Sequence, residues 1–350
     1  MEKHIETIPG DTAGIDYSLT VYRFAGDQPG APSAYIQAAL HGGELPGVAA
    51  IHFLMPMLRK AEAEGRIRGR LTVVPWANPI GRGQYLFSDQ QGRFHLGSRT
   101  NFNRDFPLLP SPEGPVPSNE LAGADQRLKS TLLALALGHD IVLDLHCDDE
   151  GAPYLYVPKQ LWPWMADVAA AMAMEAVVLW DGDAGASFDE ACIHPYLAAP
   201  EGIAAFERRV VTTVEYRGVG DVDQKLAQSD AEGIYRALAG RGVIDDPGLA
   251  KAGSFKGLAA PVEHVEMVKA PKSGAVLYHV RPGERVAEGE SLATIIHAPG
   301  EADGALELLA PQAGYILTRR DRRFLQTGED VLKLVGDRPS ATAKPGALES

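Results

Sequence analysis

Four groups of residues in this 350-residue chain have the types and spacing of a reactive site. His41-Gly42-Gly43-Glu44 follows a short apolar run. A His and a Glu three positions apart at a helix start can point the same way, so both can reach one metal ion. The two glycines let the backbone turn sharply between them. The plainer reading of the tetrapeptide is a glycine turn closed by a helix-capping Glu. His146 ends the apolar stretch Asp140–Cys147 and, with His41 and Glu44, completes a His₂Glu set. That is a standard donor set for catalytic zinc, with a fourth position left for water. Asp144 shares a strand face with His146 and either orients it or serves as a structural acid at the sheet end. Glu215 sits near the end of Val210–Tyr216, a run otherwise suited to burial, where a carboxylate is costly unless paired or functional. Beside a metal it can act as general base and then protonate a leaving amine; the alternative is a salt bridge to Arg217 or Arg209. In Asn101-Phe-Asn103-Arg104-Asp105-Phe-Pro107, Asn103 and Arg104 can clamp a carboxylate through the Arg fork, or Arg104 can simply pair with Asp105 at the surface.

These groups need elements to carry them. Ser33–Leu40, Arg70–Pro75, Asp140–Cys147, Tyr154–Val157, Val177–Trp180 and Arg209–Tyr216 read as strands. Leu45–Glu64, Glu120–Leu137, Leu161–Met174 and Val222–Ala239 read as helices, the first stopped by Gly65. Between them lies a long polar loop over Asn78–Pro117, and loops of that length are often functional. Strands separated by helices predict an α/β fold: a mixed, largely parallel sheet with helices on both faces. After Asp245 the composition changes. Pro247–Pro261 reads as a linker, and Val262–Val335 as short strands with glycine turns. Ala270-Pro271-x-x-Gly274 recurs forty residues on as Ala310-Pro311-x-x-Gly314, and Val286–Glu290 is echoed by Leu325–Glu329. Two similar β halves predict a small pseudo-symmetric sandwich or flattened barrel. The expected division is a chemistry-bearing domain over 1–250, a β-repeat domain over 262–336 and a flexible tail over 337–350.

Composition excludes several classes. With 33 Lys+Arg against 46 Asp+Glu the formal charge is −13, which argues against nucleic acid or an anionic membrane as partner. No stretch approaches the roughly 20 apolar residues of a membrane span. The start, Met-Glu-Lys-His-Ile-Glu, lacks the pattern of a signal peptide, and the two cysteines, Cys147 and Cys192, form no disulfide framework, so the chain reads as cytoplasmic. Cys147 follows His146 and reads as a small buried thiol rather than a nucleophile. Asp148-Asp149-Glu150 reads as solvated surface or as an acidic border to the cleft.

Taken in order, H-x-x-E, N-R-x-F-P, D-L-H and T-V-E resemble the succinylglutamate desuccinylase/aspartoacylase group of zinc-carboxypeptidase-like enzymes, over about His41 to Arg217. The β-repeat segment resembles the lipoyl/biotinyl-like domain appended in many members. The resemblance implies one zinc ion per chain on His41, Glu44 and His146, a general base at Glu215, and substrate contacts from Asn103 and Arg104. It implies hydrolysis of the amide of a small N-acyl amino acid, of the N-acetyl or N-succinyl type, by metal-activated water. An upstream Arg that polarises the carbonyl is expected at Arg99 or Arg93. Two departures stand out: Asn101 occupies the place of the usual Asp before Asn-Arg, and His297–Leu309 carries no Lys for lipoyl or biotinyl attachment. The alternatives are a metallocarboxypeptidase acting on peptides and an inactive binding protein of the same fold. Homo-oligomer formation is left open.

Overall fold

The computed structural model describes the chain apart from residues 118–120, 200–204, 251, 342 and 344–350. In chain order the first elements are β1 Glu2–Pro9, β2 Asp16–Phe24, β3 Ala34–Ala38, α1 Pro46–Ala63, β4 Leu71–Val74, α2 Pro79–Arg82, β5 Tyr85–Leu86, β6 Asp89–Gln90 and α3 Ala124–Ala136. Then come β7 Ile141–Asp148, β8 Glu150–Gly151, β9 Tyr154–Pro158, α4 Trp162–Ala171, β10 Ala176–Trp180, α5 Phe188–Leu197, β11 Val210–Gly218, α6 Gln224–Gly240 and β12 Leu258–Pro261. Eight strands finish the chain: β13 Val265–Lys269, β14 Gly274–Tyr278, β15 Arg285–Val286, β16 Ser291–Ile296, β17 Ala305–Leu309, β18 Gly314–Arg319, β19 Phe324–Leu325 and β20 Asp330–Gly336.

A nine-stranded sheet runs in the order β1-β2-β4-β3-β7-β11-β9-β10-β12. β4, β3, β7 and β11 are parallel to one another, as are β9, β10 and β12, while β1–β2, β2–β4 and β11–β9 pair antiparallel. β3 is buried at all five positions and β7 without a break from Ile141 to Cys147. Strands covered on both faces need apolar residues throughout, which is why they read as continuous runs in the sequence. α1, α4 and α6 pack together, and α3 packs on α5. α1 ends where Gly65 takes φ +65°, with Gly65 N–H on Glu62 O and Arg66 N–H on Ala61 O, a Schellman closure.

From β3 the chain passes through α1 to β4 on one side, then returns past β3 to β7 on the other. Such a reversal opens a crevice at the carboxyl ends of the two central strands, the usual ligand position in open α/β sheets. His41 follows β3 by three residues, His146 lies in β7, and Glu215 lies in β11, the next strand along.

Several elements carried no readable sequence signal. β1 and β2 form an antiparallel ribbon at the sheet edge, and α5 fills a stretch left unassigned. Leu258–Pro261, expected within a linker, is instead β12, defined by its parallel register against β10, with Leu258 opposite Ala176. Four residues have no periodicity of their own; the neighbouring strand makes them a strand. α3 starts at Ala124, and Glu120, where a helix start was expected, lies outside the described residues. Most of the expected tail also lies outside them, although Ser340 N–H donates to Glu263 O at 2.8 Å.

The C-terminal strands form two sheets. β13-β20-β18-β15, joined by β8, makes one, and β17-β16-β14-β19 the other. Each strand and its repeat lie in opposite sheets: β13 and β17, β14 and β18, β15 and β19, β16 and β20. The recurring glycine has one physical cause in both halves. A Cβ at Gly274 would lie 2.2 Å from Ile296 O, and one at Gly314 would lie 2.5 Å from Val335 O, so each admits the close approach of its paired strand. Among the described residues no helix is long and apolar enough to cross a membrane.

Candidate active site

His41 and Glu44 sit in a turn before α1, not in its first turn. Glu44 N–H donates to His41 O at 3.0 Å, and Pro46 begins the helix. Of the two glycines, the close packing explains Gly42, and differently from expectation. Neither has a left-handed φ. A Cβ at Gly42 would lie 2.5 Å from Arg82 N, and a Cβ at Gly92 would lie 2.3 Å from Gly43 N. Gly42 N–H donates to Gly92 O at 2.8 Å. The turn is therefore pressed between the end of α2 and the chain after β6, and the small residues serve close approach.

Within this frame, ligand atoms of His41, Glu44 and His146 lie within 4.8 Å of one another, and all three residues are buried. Glu44 bridges the pair, with Oε1 2.8 Å from His41 Nδ1 and Oε2 2.7 Å from His146 Nδ1. The far nitrogens are each backed. Asn101 Oδ1 accepts the Asn103 backbone N–H at 2.9 Å, which assigns that atom as the oxygen; it therefore also accepts from His41 Nε2, at 2.9 Å. His146 Nε2 donates to Asp144 Oδ2 at 2.9 Å, while Asp144 Oδ1 accepts from Gln37, whose Oε1 accepts from Tyr35 Oη.

This network tests whether a metal suits the site. With Nε2 of His41 holding its proton, Nδ1 presents a lone pair, and Arg93 Nη1 donates to it at 3.4 Å. Burial lowers the proton affinity of His41, favouring that neutral form. A lone pair and a carboxylate oxygen 2.8 Å apart repel unless a cation lies between them. Burial alone would lower His146 too, but Asp144 and Glu44 on either side raise it well above the ordinary histidine range. Burial would raise Glu44, yet the two histidines draw it well below the usual carboxylate range. Two Nδ1 atoms and a carboxylate converging on one buried point, each with its outer side held, fit a divalent cation of the zinc class.

Glu215 lies opposite His146 in the β11–β7 pairing. Its Oε2 is closed from solvent and has no hydrogen-bond partner. Burial pushes its carboxyl up to about 8; Asp148 and Glu44 add to this, and His146 and Lys333 oppose it. The partners proposed for a plain salt bridge are engaged elsewhere: Arg217 pairs with Asp230, and Arg209 lies over the Tyr196 ring at 3.2 Å.

Of the two upstream arginines, Arg93 approaches the cluster, with Nη1 3.7 Å from Glu44 Oε1. Arg99 is exposed, its backbone at φ +61° and its N–H on His95 O at 2.7 Å. Asn103 Oδ1 accepts the Phe188 N–H at the start of α5 at 2.8 Å, which leaves its amide nitrogen as the group free to meet a ligand. Arg104 is half-buried, with Nη1 on Asn103 O at 2.7 Å. Cys147 and Cys192 are buried and unbridged, and burial pushes the Cys147 thiol far above its ordinary range, unlike a nucleophile.

The acidic run proves to be an ion-paired seam rather than free surface. Asp148 pairs with Lys333 of β20, Glu150 with Arg319 of β18, and Asp149 and Glu150 with Arg320 and Arg323, respectively, of the turn between β18 and β19. Sequence reasoning missed Lys333 and left Arg93 and Arg99 undecided. No local spacing marks a lysine 185 positions beyond Asp148 as its partner.

The comparisons with known proteins concern the family and the fold. No curated protein matches the sequence. A succinylglutamate desuccinylase/aspartoacylase family protein from Shewanella amazonensis SB2B is 26% identical, with a TM-score of 0.85 over 96% of this chain and 99% of that one. A succinylglutamate desuccinylase/aspartoacylase from Shewanella frigidimarina NCIMB 400 is 24% identical, with a TM-score of 0.82 over 97% and 99%. The product-bound ectoine utilization protein EutE (DoeB) from Ruegeria pomeroyi shares the fold at 20% identity, with a TM-score of 0.67 over 95% and 94%. Residues 30–241 match the sequence model of the succinylglutamate desuccinylase/aspartoacylase catalytic domain, a span that holds His41, Glu44, His146 and Glu215. The chain belongs to the succinylglutamate desuccinylase/aspartoacylase family.

Proposed function

We propose that this protein is a zinc-dependent amidohydrolase that cleaves the amide of a small N-acyl amino acid, of the N-acetyl or N-succinyl type. The observation that carries the reading is the convergence of His41 Nδ1, His146 Nδ1 and the Glu44 carboxylate beside the unpartnered Glu215 Oε2. His41, Glu44 and His146 would hold one zinc ion per chain, which when bound supplies Lewis acidity toward the carbonyl and acidifies a water. Arg93 adds a permanent cation at the rim of the cluster and stabilises negative charge as it develops on the carbonyl oxygen. The Asn103 amide and the Arg104 guanidinium bind and orient the substrate carboxylate. Glu215 takes a proton from the attacking water at Oε2 and returns it to the leaving amine. Asn101 and Asp144 keep the two imidazoles in one orientation throughout. The site lies in the first 250 residues, the proposed hydrolase domain, with 262–336 as its appended β module; a cytoplasmic enzyme is the proposed context.

The test is a metal analysis joined to a hydrolysis screen. Protein purified without chelator is expected to hold about one zinc per chain, in line with the donor set. It is expected to hydrolyse members of an N-acetyl, N-succinyl and N-formyl amino acid panel, with short peptides uncut. Preferential cleavage of the peptides would replace this reading with a metallocarboxypeptidase. Absence of any divalent metal, with no activity gained on adding zinc, would leave a binding protein.

A further inference from the structure

The four cation–carboxylate pairs at the acidic run are not equivalent. In the Lys333–Asp148 pair, 2.6 Å long, the side chains are only 6% and 10% exposed, against 26% and 27% in the Arg320–Asp149 pair. The outer pairs, with Glu150 and Asp149, are screened by solvent and contribute little each. Lys333 and Asp148 are removed from water, and neither can be rehydrated in place if the other is lost. Asp148 also accepts from Tyr154 Oη at 2.9 Å.

This pair adjoins the candidate site through three neighbouring strands. Asp148 ends β7, two residues beyond His146. β11 runs with Glu215 opposite His146, then bulges, so that Gly218 comes opposite Asp148 and Arg217 takes φ +59°. Tyr154 of β9 lies opposite Glu215 on the other side. Bulges of this kind re-aim a side chain at the end of a strand. Here the bulge begins directly after Glu215, the last residue in register with His146, and the ammonium that pairs with Asp148 at the end of β7 comes from β20.

The module is also built into the larger body. Thr318 of β18 pairs with Gly151 of β8, and Ala152 N–H donates to Leu317 O at 2.9 Å. Tyr315, Leu317 and Val335 belong to the main hydrophobic core rather than to the two small cores of the β module. Lys333 is thus held from a rigid strand.

We propose that Lys333 is a positioning residue for the candidate site. It holds Asp148 against Tyr154 and so fixes the ends of β7 and β11 that present His146 and Glu215. The C-terminal module thereby completes the site instead of only covering it. The proposal rests on the functional reading of His146 and Glu215 given above. Without the ammonium, Asp148 is left as a buried carboxylate without its cation, and the ends of β7 and β11 around it lose the contact that orders them.

The experiment compares zinc-loaded full-length wild type, Lys333→Met and Lys333→Arg by amide hydrogen exchange and by steady-state kinetics. Lys333→Met keeps the length of the side chain and removes its charge. It is expected to lose protection at residues 146–152 and 214–219 while 265–296 stays as in wild type. Its kcat on an N-acyl amino acid is expected to fall about 10²-fold with KM nearly unchanged, the size of effect that a small misplacement of a reacting group produces. Lys333→Arg, which keeps the charge, is expected to restore both readouts. Wild-type exchange in Lys333→Met overturns the proposal, and so does loss of protection throughout 265–336, which would make Lys333 a staple of the module alone. If wild type hydrolyses none of the panel, the functional reading fails, while the exchange comparison still decides whether Lys333 orders the strand ends.

Discussion

At the scale of single residues, the site works by opposing tendencies held in one place. Burial pushes the Glu215 carboxyl up to about 8, while the same burial leaves Glu44 low because two imidazoles face it. Acids of such different proton affinity suit different tasks, one holding a cation and the other moving a proton. Glu215→Gln is therefore expected to bind zinc as wild type does and to lose about 10² to 10⁴ in kcat. A variant with normal zinc content and an unchanged rate removes Glu215 from the chemistry. His139 gives a prediction about stability, far from the cluster. Its ring nitrogens meet Ala136 O at 3.0 Å and Thr72 Oγ1 at 3.1 Å, and burial, helped by Arg70, lowers its pKa to about 4. In the unfolded chain a histidine takes its proton near the ordinary value of about 6.5. The unfolded state therefore binds the proton first as the pH falls, and stability is lost between about pH 6.5 and 4. By pH 5 the loss amounts to about 2 kcal/mol. Urea unfolding at pH 7.5 and pH 5 is expected to show that loss in wild type and not in His139→Gln; equal losses in both refute the assignment.

At the scale of elements, the crevice depends on which strands neighbour which. His41 and His146 meet because the chain reverses its winding between β4 and β7, placing β3 and β7 side by side. The hairpin of β5 and β6 matters through its root. Gln90 Nε2 donates to Gly42 O at 3.1 Å, and Gly92 packs against Gly43 N with no room for a Cβ. Gly92→Ala is expected to force this backbone away from the His41–Glu44 turn. A strain of about 1–3 kcal/mol follows from overpacking of this kind. Competition with a chromogenic chelator is expected to show zinc held about 10-fold more weakly or worse, by analogy with disturbed outer-shell contacts. Unaltered affinity means that the turn does not depend on this contact.

At the scale of the whole molecule, the C-terminal strands share a core with the large sheet and pair with it through β8. Lys333 brings a cation from the C-terminal strands to Asp148 at the end of β7. A module tied in this way is expected to unfold with the rest. Scanning calorimetry is expected to give one transition, with calorimetric and van't Hoff enthalpies in agreement. Two separated transitions would mean that the β module is energetically independent and that its contacts at Asp148–Glu150 add little.

What the sequence determined by itself was local. Strand ends bearing His41, His146 and Glu215, the helix stop at Gly65 and the forty-residue repeat are each written in neighbouring residues, because burial on two faces, a left-handed cap or the close approach of a paired strand selects residue types directly. The tertiary structure alone decided Arg93 over Arg99 as the arginine at the cluster, the capping of α5 by Asn103, the strand at Leu258–Pro261 and the salt bridges of the acidic run. In each of these the deciding partner lies far along the chain or in an irregular loop. Spacing rules describe what a residue's neighbours in sequence can do, and these contacts belong to its neighbours in space.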